Sequence, residues 1–173
     1  MPCVSYVDLV LHRRCRVLLL CLLATVVFLS CTEDPPSTPD PPIPTDELEA
    51  RVHFLVNQHR AGIGLATLTL QNIITQQARK HSSDIASQKL PFGHDGFEQR
   101  YDIIDQELQI SGAAETIAFN YGFADPAAQV VSNWLRSDRH RLILEGKFTG
   151  TGVGVARNAS GTYYFTQIFV IER

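Results

Sequence analysis

Residues Asn133 to Val155 read NWLRSDRHRLILEGKFTGTGVGV, and this stretch says most about how the chain folds. A helix end carrying Trp134 and Leu135 runs into a Ser-x-x-His-Arg turn, Ser137 to Arg141, and then into a strand punctuated by Gly150, Gly152 and Gly154. The helix has a clear start upstream. Asp125 can cap it with its carboxylate, and Pro126 suits the first helical position, where no amide hydrogen is needed. Val130, Val131, Trp134 and Leu135 give it an apolar stripe. Downstream, Thr151 to Val155 and Tyr163 to Val170 alternate as strands, and Asn158-Ala159-Ser160-Gly161 has a hairpin-turn composition.

Earlier in the chain, a first helix is expected from Thr45 or Asp46, either of which can cap it, to the Gly62 and Gly64 breakers. Leu48, Val52, Leu55 and Val56 recur on it at helical spacing. A second helix spans about Gln71 to Gln88 with Ile74, Ala78, His81 and Ile85 on one face. Pro91 and Gly93 open a loop, Glu98 to Glu107 suits a short third helix, and Ala113 to Asn120 alternates weakly as a strand. Strands therefore come late and antiparallel. That order predicts an α+β fold with helices packed on an antiparallel sheet rather than a doubly wound parallel one.

The N-terminal quarter, residues 1–45 of 173, is of another kind. Val17 to Leu29 reads VLLLCLLATVVFL, preceded by Arg13, Arg14 and Arg16. This run is shorter than the roughly 20 apolar residues that span a bilayer, so it reads as the apolar core of an export signal over residues 1–30. It ends in Leu29-Ser30-Cys31, which resembles a bacterial lipobox with Phe28 where leucine is usual. Cleavage there would leave an acylated Cys31 as the first mature residue, and at about 0.8 kcal/mol per buried methylene, several chains anchor a protein permanently. Residues 31–45 then hold six of the nine prolines, a composition that favours an extended stalk reaching about 40 Å. The four cysteines, Cys3, Cys15, Cys21 and Cys31, all lie in or beside the export segment, so the domain at 46–173 relies on its core and not on disulfides. A net charge of −3 without a basic block argues against nucleic acid as a partner. The location expected is the bacterial cell envelope, on the extracytoplasmic side.

The segments NQHRAGIGLATLTLQNIITQQARKHSSDIA, GHDGF, AAETIA, NWLRSDRHR, EGKFTGTGVGV and YYFTQIF, taken in order, resemble the bacterial branch of the CAP superfamily, the SCP-like or YkwD-like domains. These are related to cysteine-rich secretory proteins, antigen 5 and plant pathogenesis-related proteins. The resemblance covers Leu48 to Val170 and implies a three-layer α-β-α sandwich with a central antiparallel sheet. It also implies a cleft lined by a His-Glu-Glu-His tetrad. By motif, the first histidine is His94, the first glutamate is Glu115, the last histidine is His140, and the second glutamate falls on Ser137. Ala114 stands where glycine is usual, Thr116 where asparagine is frequent, and Ile143 where asparagine is usual.

Two imidazoles and a carboxylate suit zinc or another divalent cation, with His94 and His140 as ligands. Without metal they could act as an acid and base pair, Glu115 orienting one imidazole. They could equally form a buried polar network that holds loops to a strand. Ser137 near His140 lacks a G-x-S-x-G elbow and is expected to bond locally in the turn. Gly150, Gly152 and Gly154 lie in a strand with no helix after them, so they suit close backbone packing and not a phosphate loop. His53 and His59 are expected at the solvent edge of the first helix, and His81 as a half-buried packing residue. Arg141 suits a salt bridge or the cleft rim. Phe119, Tyr121 and Phe123 could line a groove or pack in the core. These residues are compatible with a non-catalytic module binding a lipid, small-molecule or peptide ligand. A hydrolase of peptide or cell-wall material and a surface interaction or defence protein are the alternatives.

Overall fold

The computed structural model describes residues 41–173. The export segment, Cys31 and most of the proline-rich stretch lie outside the described residues. Helix α1 (Thr45–Gly62) is followed by strand β1 (Thr69–Leu70), helices α2 (Asn72–Ala86) and α3 (Phe97–Leu108) and strand β2 (Ile110–Asn120). Helices α4 (Pro126–Arg136) and α5 (Asp138–Leu144) and strands β3 (Gly150–Arg157) and β4 (Tyr163–Glu172) complete the order.

The strands form one sheet in the order β1-β3-β4-β2. The three long strands are antiparallel as expected, Glu115 lying opposite Ile168 and Gly152 opposite Ile168 from the other side. The sheet is nevertheless mixed, because β1 runs parallel to β3 with Thr69 opposite Gly150. Two residues cannot show a period-two pattern, so this strand carries no alternation signal. Its position is set from outside. Asn57 holds both sides of the Leu68 backbone, accepting from its amide at 2.8 Å and donating to its carbonyl at 3.0 Å.

Side chains alternate across the sheet and sort into two cores. Val153, Val155, Tyr163, Phe165 and Phe169 face one way and meet Leu48, Val52 and Val56 of α1 and Val130, Val131 and Trp134 of α4. Ile168, Val170 and Ile110 face the other way and meet Ile74 and Ala78 of α2 and Ile104 of α3. Each side of the sheet thus has its own apolar cluster, which is what makes the fold a three-layer α-β-α sandwich.

Close approach of α2 explains the glycines of β3. A Cβ on Gly152 would overlap the backbone of Ile74 and Thr75, and one on Gly154 would overlap the backbone of Ala78 and Arg79. With no side chain there, Ser82 reaches the sheet. Its hydroxyl sits 2.8 Å from both the Gly154 carbonyl and Thr166 Oγ1, donating to the first and accepting from the second.

Asp125 caps α4 as expected, accepting from the Ala128 amide at 2.9 Å with Pro126 next to it. The expected cap on α1 is absent. Thr45 and Asp46 are inside the helix, and the Pro44 carbonyl accepts from Leu48 N at 3.2 Å without side-chain help. At its other end α1 is pinned by buried Arg60, which donates to the carbonyls of Ala66, Leu144 and Gly146 at 2.7 to 2.9 Å.

Candidate functional site

Strand β2 is an edge strand, and it carries Glu115. Glu115 lies opposite Ile168 and therefore points into the layer that contains α2 and α3. Three groups from that layer meet it. His94, in the loop between those helices, donates Nδ1–H to Oε1 at 2.9 Å. Arg100 of α3 places a fork on the carboxylate, Nε on Oε2 at 2.9 Å and Nη2 on Oε1 at 2.9 Å. His81 of α2 stands behind, with Nε2 at 3.8 Å from Oε1 and 3.0 Å from the Gly93 carbonyl to which it donates. The Glu115 side chain is 2% exposed and that of Arg100 8%, so this is a buried ion pair with its donors and acceptors matched.

The tautomers follow from the partners. An ionised carboxylate only accepts, so His94 donates from Nδ1 and turns Nε2 outward from a side chain that is 48% exposed. His81 uses Nε2–H for Gly93, which leaves Nδ1 as a buried acceptor with no partner. Burial pushes the His81 pKa down, outweighing the attraction of Glu115, so the ring is neutral at pH 7.

His140 approaches from the opposite layer, on α5. Its Nδ1 is 3.0 Å from Ser137 Oγ, so the two residues that the tetrad motif places at the second glutamate and last histidine are in contact. Ser137 is the residue before α5 and His140 lies three positions on, which makes this a local side-chain pair at a helix start. Ser137 thus bonds locally, to an imidazole three residues on. Burial lowers the His140 pKa first, and the charges of Arg139 and His94 lower it further.

Glu115 is thus behind His94 and not beside it. Both of its oxygens are occupied, and Arg100 adds a fixed positive charge at 2.7 Å. Two imidazoles remain as donors for a cation. Among the described residues no group of three or more His, Cys, Asp or Glu is arranged to hold a metal ion. A catalytic zinc site supplies three protein ligands. The residues present do not fit a tightly held divalent ion.

Two members of this cluster were not legible as such from the sequence. His81 is 1% exposed and part of the site, where a half-buried packing residue was expected. Arg100 was not singled out at all. A signal existed for both. His81 shares the stripe of Ile74, Ala78 and Ile85, and Arg100 shares that of Phe97 and Ile104, so each is a polar group on an apolar helix face. A charge in such a position requires a buried partner.

The remaining expectations separate cleanly. Arg141 pairs with Asp138 at 2.9 Å. His59 bonds Glu145 at 2.9 Å and His53 the Leu68 carbonyl at 3.0 Å, so each ties α1 to a neighbouring segment. Phe119, Tyr121 and Phe123 are not core residues, being 56%, 67% and 47% exposed. Phe119 packs edge to face on Phe92, with centroids 5.0 Å apart, and lies 5.9 Å from Tyr164. This aromatic row occupies the same sheet face as Glu115, four residues further along β2 and beside the loop that carries His94.

Several solved structures share the fold, and three of them illustrate it. An extracellular SCP-domain protein from Bacillus anthracis aligns with 24% identity and a TM-score of 0.62, over 77% of this chain and 45% of that one. An outer surface protein of Borrelia burgdorferi aligns with 17% identity and a TM-score of 0.64, over 77% and 98% respectively. A cysteine-rich secretory protein of Staphylococcus aureus aligns with 21% identity and a TM-score of 0.62, over 76% and 40%. This chain thus spans less than half the length of the first and third of these structures. No curated protein sequence matches it. The model of the cysteine-rich secretory protein family, CAP, matches residues 53–169, which hold His94, Glu115, Ser137 and His140. With that match, on this three-layer sandwich, the chain belongs to the CAP superfamily.

Proposed function

We propose that this protein is an envelope-tethered, extracytoplasmic binding module whose β2-edge cleft takes an amphipathic ligand, a lipid or a small molecule with a polar head. The observation that carries this reading is the state of Glu115. Arg100 and His94 together occupy both of its oxygens, so it cannot accept a proton from substrate or water without breaking a buried ion pair. His94 Nε2 remains as a polar contact for a head group. Exposed Phe92 and Phe119, with half-buried Tyr164 beside them, offer an apolar platform about 13 Å along the strand, four residues at roughly 3.3 Å each. Lipidation of Cys31 and the proline-rich stretch would hold the domain off a membrane surface. No helix among the described residues is long and apolar enough to cross a membrane, which leaves the tether to the N-terminal segment in this reading.

The hydrolase reading draws support from one feature, a carboxylate oriented on an imidazole at 2.9 Å. The two are separated by experiment. Binding of a fluorescent fatty acid to the full chain in mild detergent should weaken about tenfold in Phe92→Ala/Phe119→Ala, whose side chains lie at the surface. Turnover of casein or peptidoglycan with added Zn²⁺, lost in His94→Ala and His140→Ala, would overturn the binding-module reading. The tether is tested separately: Cys31→Ser should release the protein from membranes, and unchanged membrane fractionation would remove lipidation from the proposal.

A further inference from the structure

Exposed aromatic side chains gather at one end of the sandwich. Phe119, Tyr121 and Phe123 follow one another at every second position through the end of β2 and the loop after it. Tyr121 lies against the β3–β4 turn, where a Cβ on Gly161 would come within 3.2 Å of its ring and 2.9 Å of Arg157 Nη2. The loop is held at both of its ends. Asn120 Nδ2 donates to the Pro126 carbonyl at 2.8 Å, and Asp125 pairs with Arg51 at 3.1 Å. Fixed backbone therefore keeps these rings at the surface, Tyr121 at 67% exposed, although covering them would be favourable. Segments Phe119–Phe123 and Arg157–Tyr164 carry a single charge, exposed Arg157, and no carboxylate.

The N-terminal segment joins the domain at this same end. Ile43 packs on the core, and its carbonyl accepts from Tyr163 Oη at 3.1 Å. Tyr163 lies between Asn120 on β2 and Arg157 on β3, the residues from which the aromatic loop and the turn lead off. Ile43 also shares a surface recess with Ala124, the neighbour of Phe123. Residues 32–40 separate Cys31 from the described chain, a reach of at most about 35 Å. We propose that this aromatic end, centred on Tyr121 and Phe123, docks on the lipid surface to which Cys31 anchors the chain. The rings sit at the level of the head groups, and Arg157 meets lipid phosphates. The inference rests on the tether reading for what brings the domain to a bilayer, while Tyr121, Phe123 and Arg157 lie outside the ligand platform of that reading. Aromatic rings with a polar tip favour the boundary between head groups and acyl chains, and a cation adds attraction to anionic lipid. The tether makes that surface the one always within reach, at a high effective concentration. The stretch before Ile43 sets how far the domain can stand off, and the aromatic end lets it settle reversibly.

The test places tryptophan reporters in the full chain, reconstituted in vesicles of phosphatidylglycerol and phosphatidylcholine with and without bromine on the acyl chains. Flotation separates the bound protein. Tyr121→Trp should lose about half of its added emission in brominated vesicles, since insertion by roughly 5–10 Å puts the ring at the acyl boundary. Ile63→Trp is the control, at a site 50% exposed but at the other end of α1. It lies about 27 Å from Thr45 at roughly 1.5 Å per residue, and its emission should not respond to bromine. Buried Trp134 is common to every chain, and its signal is subtracted with that of the parent. Adding Phe123→Asp, a change to an exposed side chain, should restore most of the Tyr121→Trp emission while flotation stays unchanged. Flotation with a Tyr121→Trp emission that bromine does not touch would overturn the docking and leave the tether standing. A chain that does not float at all would sink both. A blue shift that grows with protein density and ignores bromine would assign this end to a second copy of the chain, which also overturns the proposal.

Discussion

Replacing Arg100 by methionine keeps the length and apolar stem of the side chain and removes its charge. Glu115, 2% exposed, would then keep His94 Nδ1 at 2.9 Å and lose the guanidinium fork that binds both of its oxygens. Arg100 also donates to the Asp95 carbonyl at 2.9 Å, so the start of α3 loses a tie to the loop before it. Breaking a buried ion pair by removing one partner costs about 3–5 kcal/mol, because the other charge is left without compensation. For a domain of this size each kcal/mol corresponds to roughly 3–5 °C, so Arg100→Met should lower Tm by about 10–20 °C. Thermal unfolding followed by circular dichroism on the full chain reads this directly. A double-mutant cycle with Glu115→Gln makes the argument specific. The two single variants should each be strongly destabilised, and the double variant should recover at least about 2 kcal/mol relative to their sum. A loss below about 1 kcal/mol for Arg100→Met, or strict additivity in the cycle, would show that the pair is not the buried, coupled unit described.

Two other predictions address the layers around that pair. Gly154→Ala should cost about 2–3 kcal/mol or more, since its Cβ meets the rigid backbone of Ala78 and Arg79, whereas Gly62→Ala, with open space around it, should be neutral or slightly stabilising. Urea midpoints of the two variants check the contrast. Stability should also fall as pH drops below about 6.5. Burial holds the folded His81 and His140 pKa values below their unfolded value, so below that value the unfolded chain takes up protons that the folded protein refuses. The slope is at most about 1.4 kcal/mol per pH unit for each histidine, and urea midpoints compared at pH 7.5 and pH 5.5 should show the lower value at pH 5.5.

Much of the fold was legible along the chain. The stripe of Val130, Val131 and Trp134, the Asp125-Pro126 start and the alternation of β3 and β4 are local patterns, and local patterns are what periodicity and capping reveal. Strand β1 was not legible, because two residues show no period, and its parallel pairing depends on Asn57 holding Leu68 from α1. Helix α5 was read as a turn, since seven residues give too short a stripe to distinguish the two.

The site divides along the same line. The motifs by themselves singled out His94, Glu115, Ser137 and His140, because residue type and order are properties of the chain. They could not determine what state the carboxylate is in. That depends on Arg100 and His81, which come from helices on either side of the His94 loop and reach Glu115 only once both pack on the same sheet face. Tertiary packing alone decided that both oxygens of Glu115 accept from Arg100 and that one of them also holds His94. The physical reason is that a buried charge takes its chemistry from whichever opposite charge the fold brings within hydrogen-bonding distance.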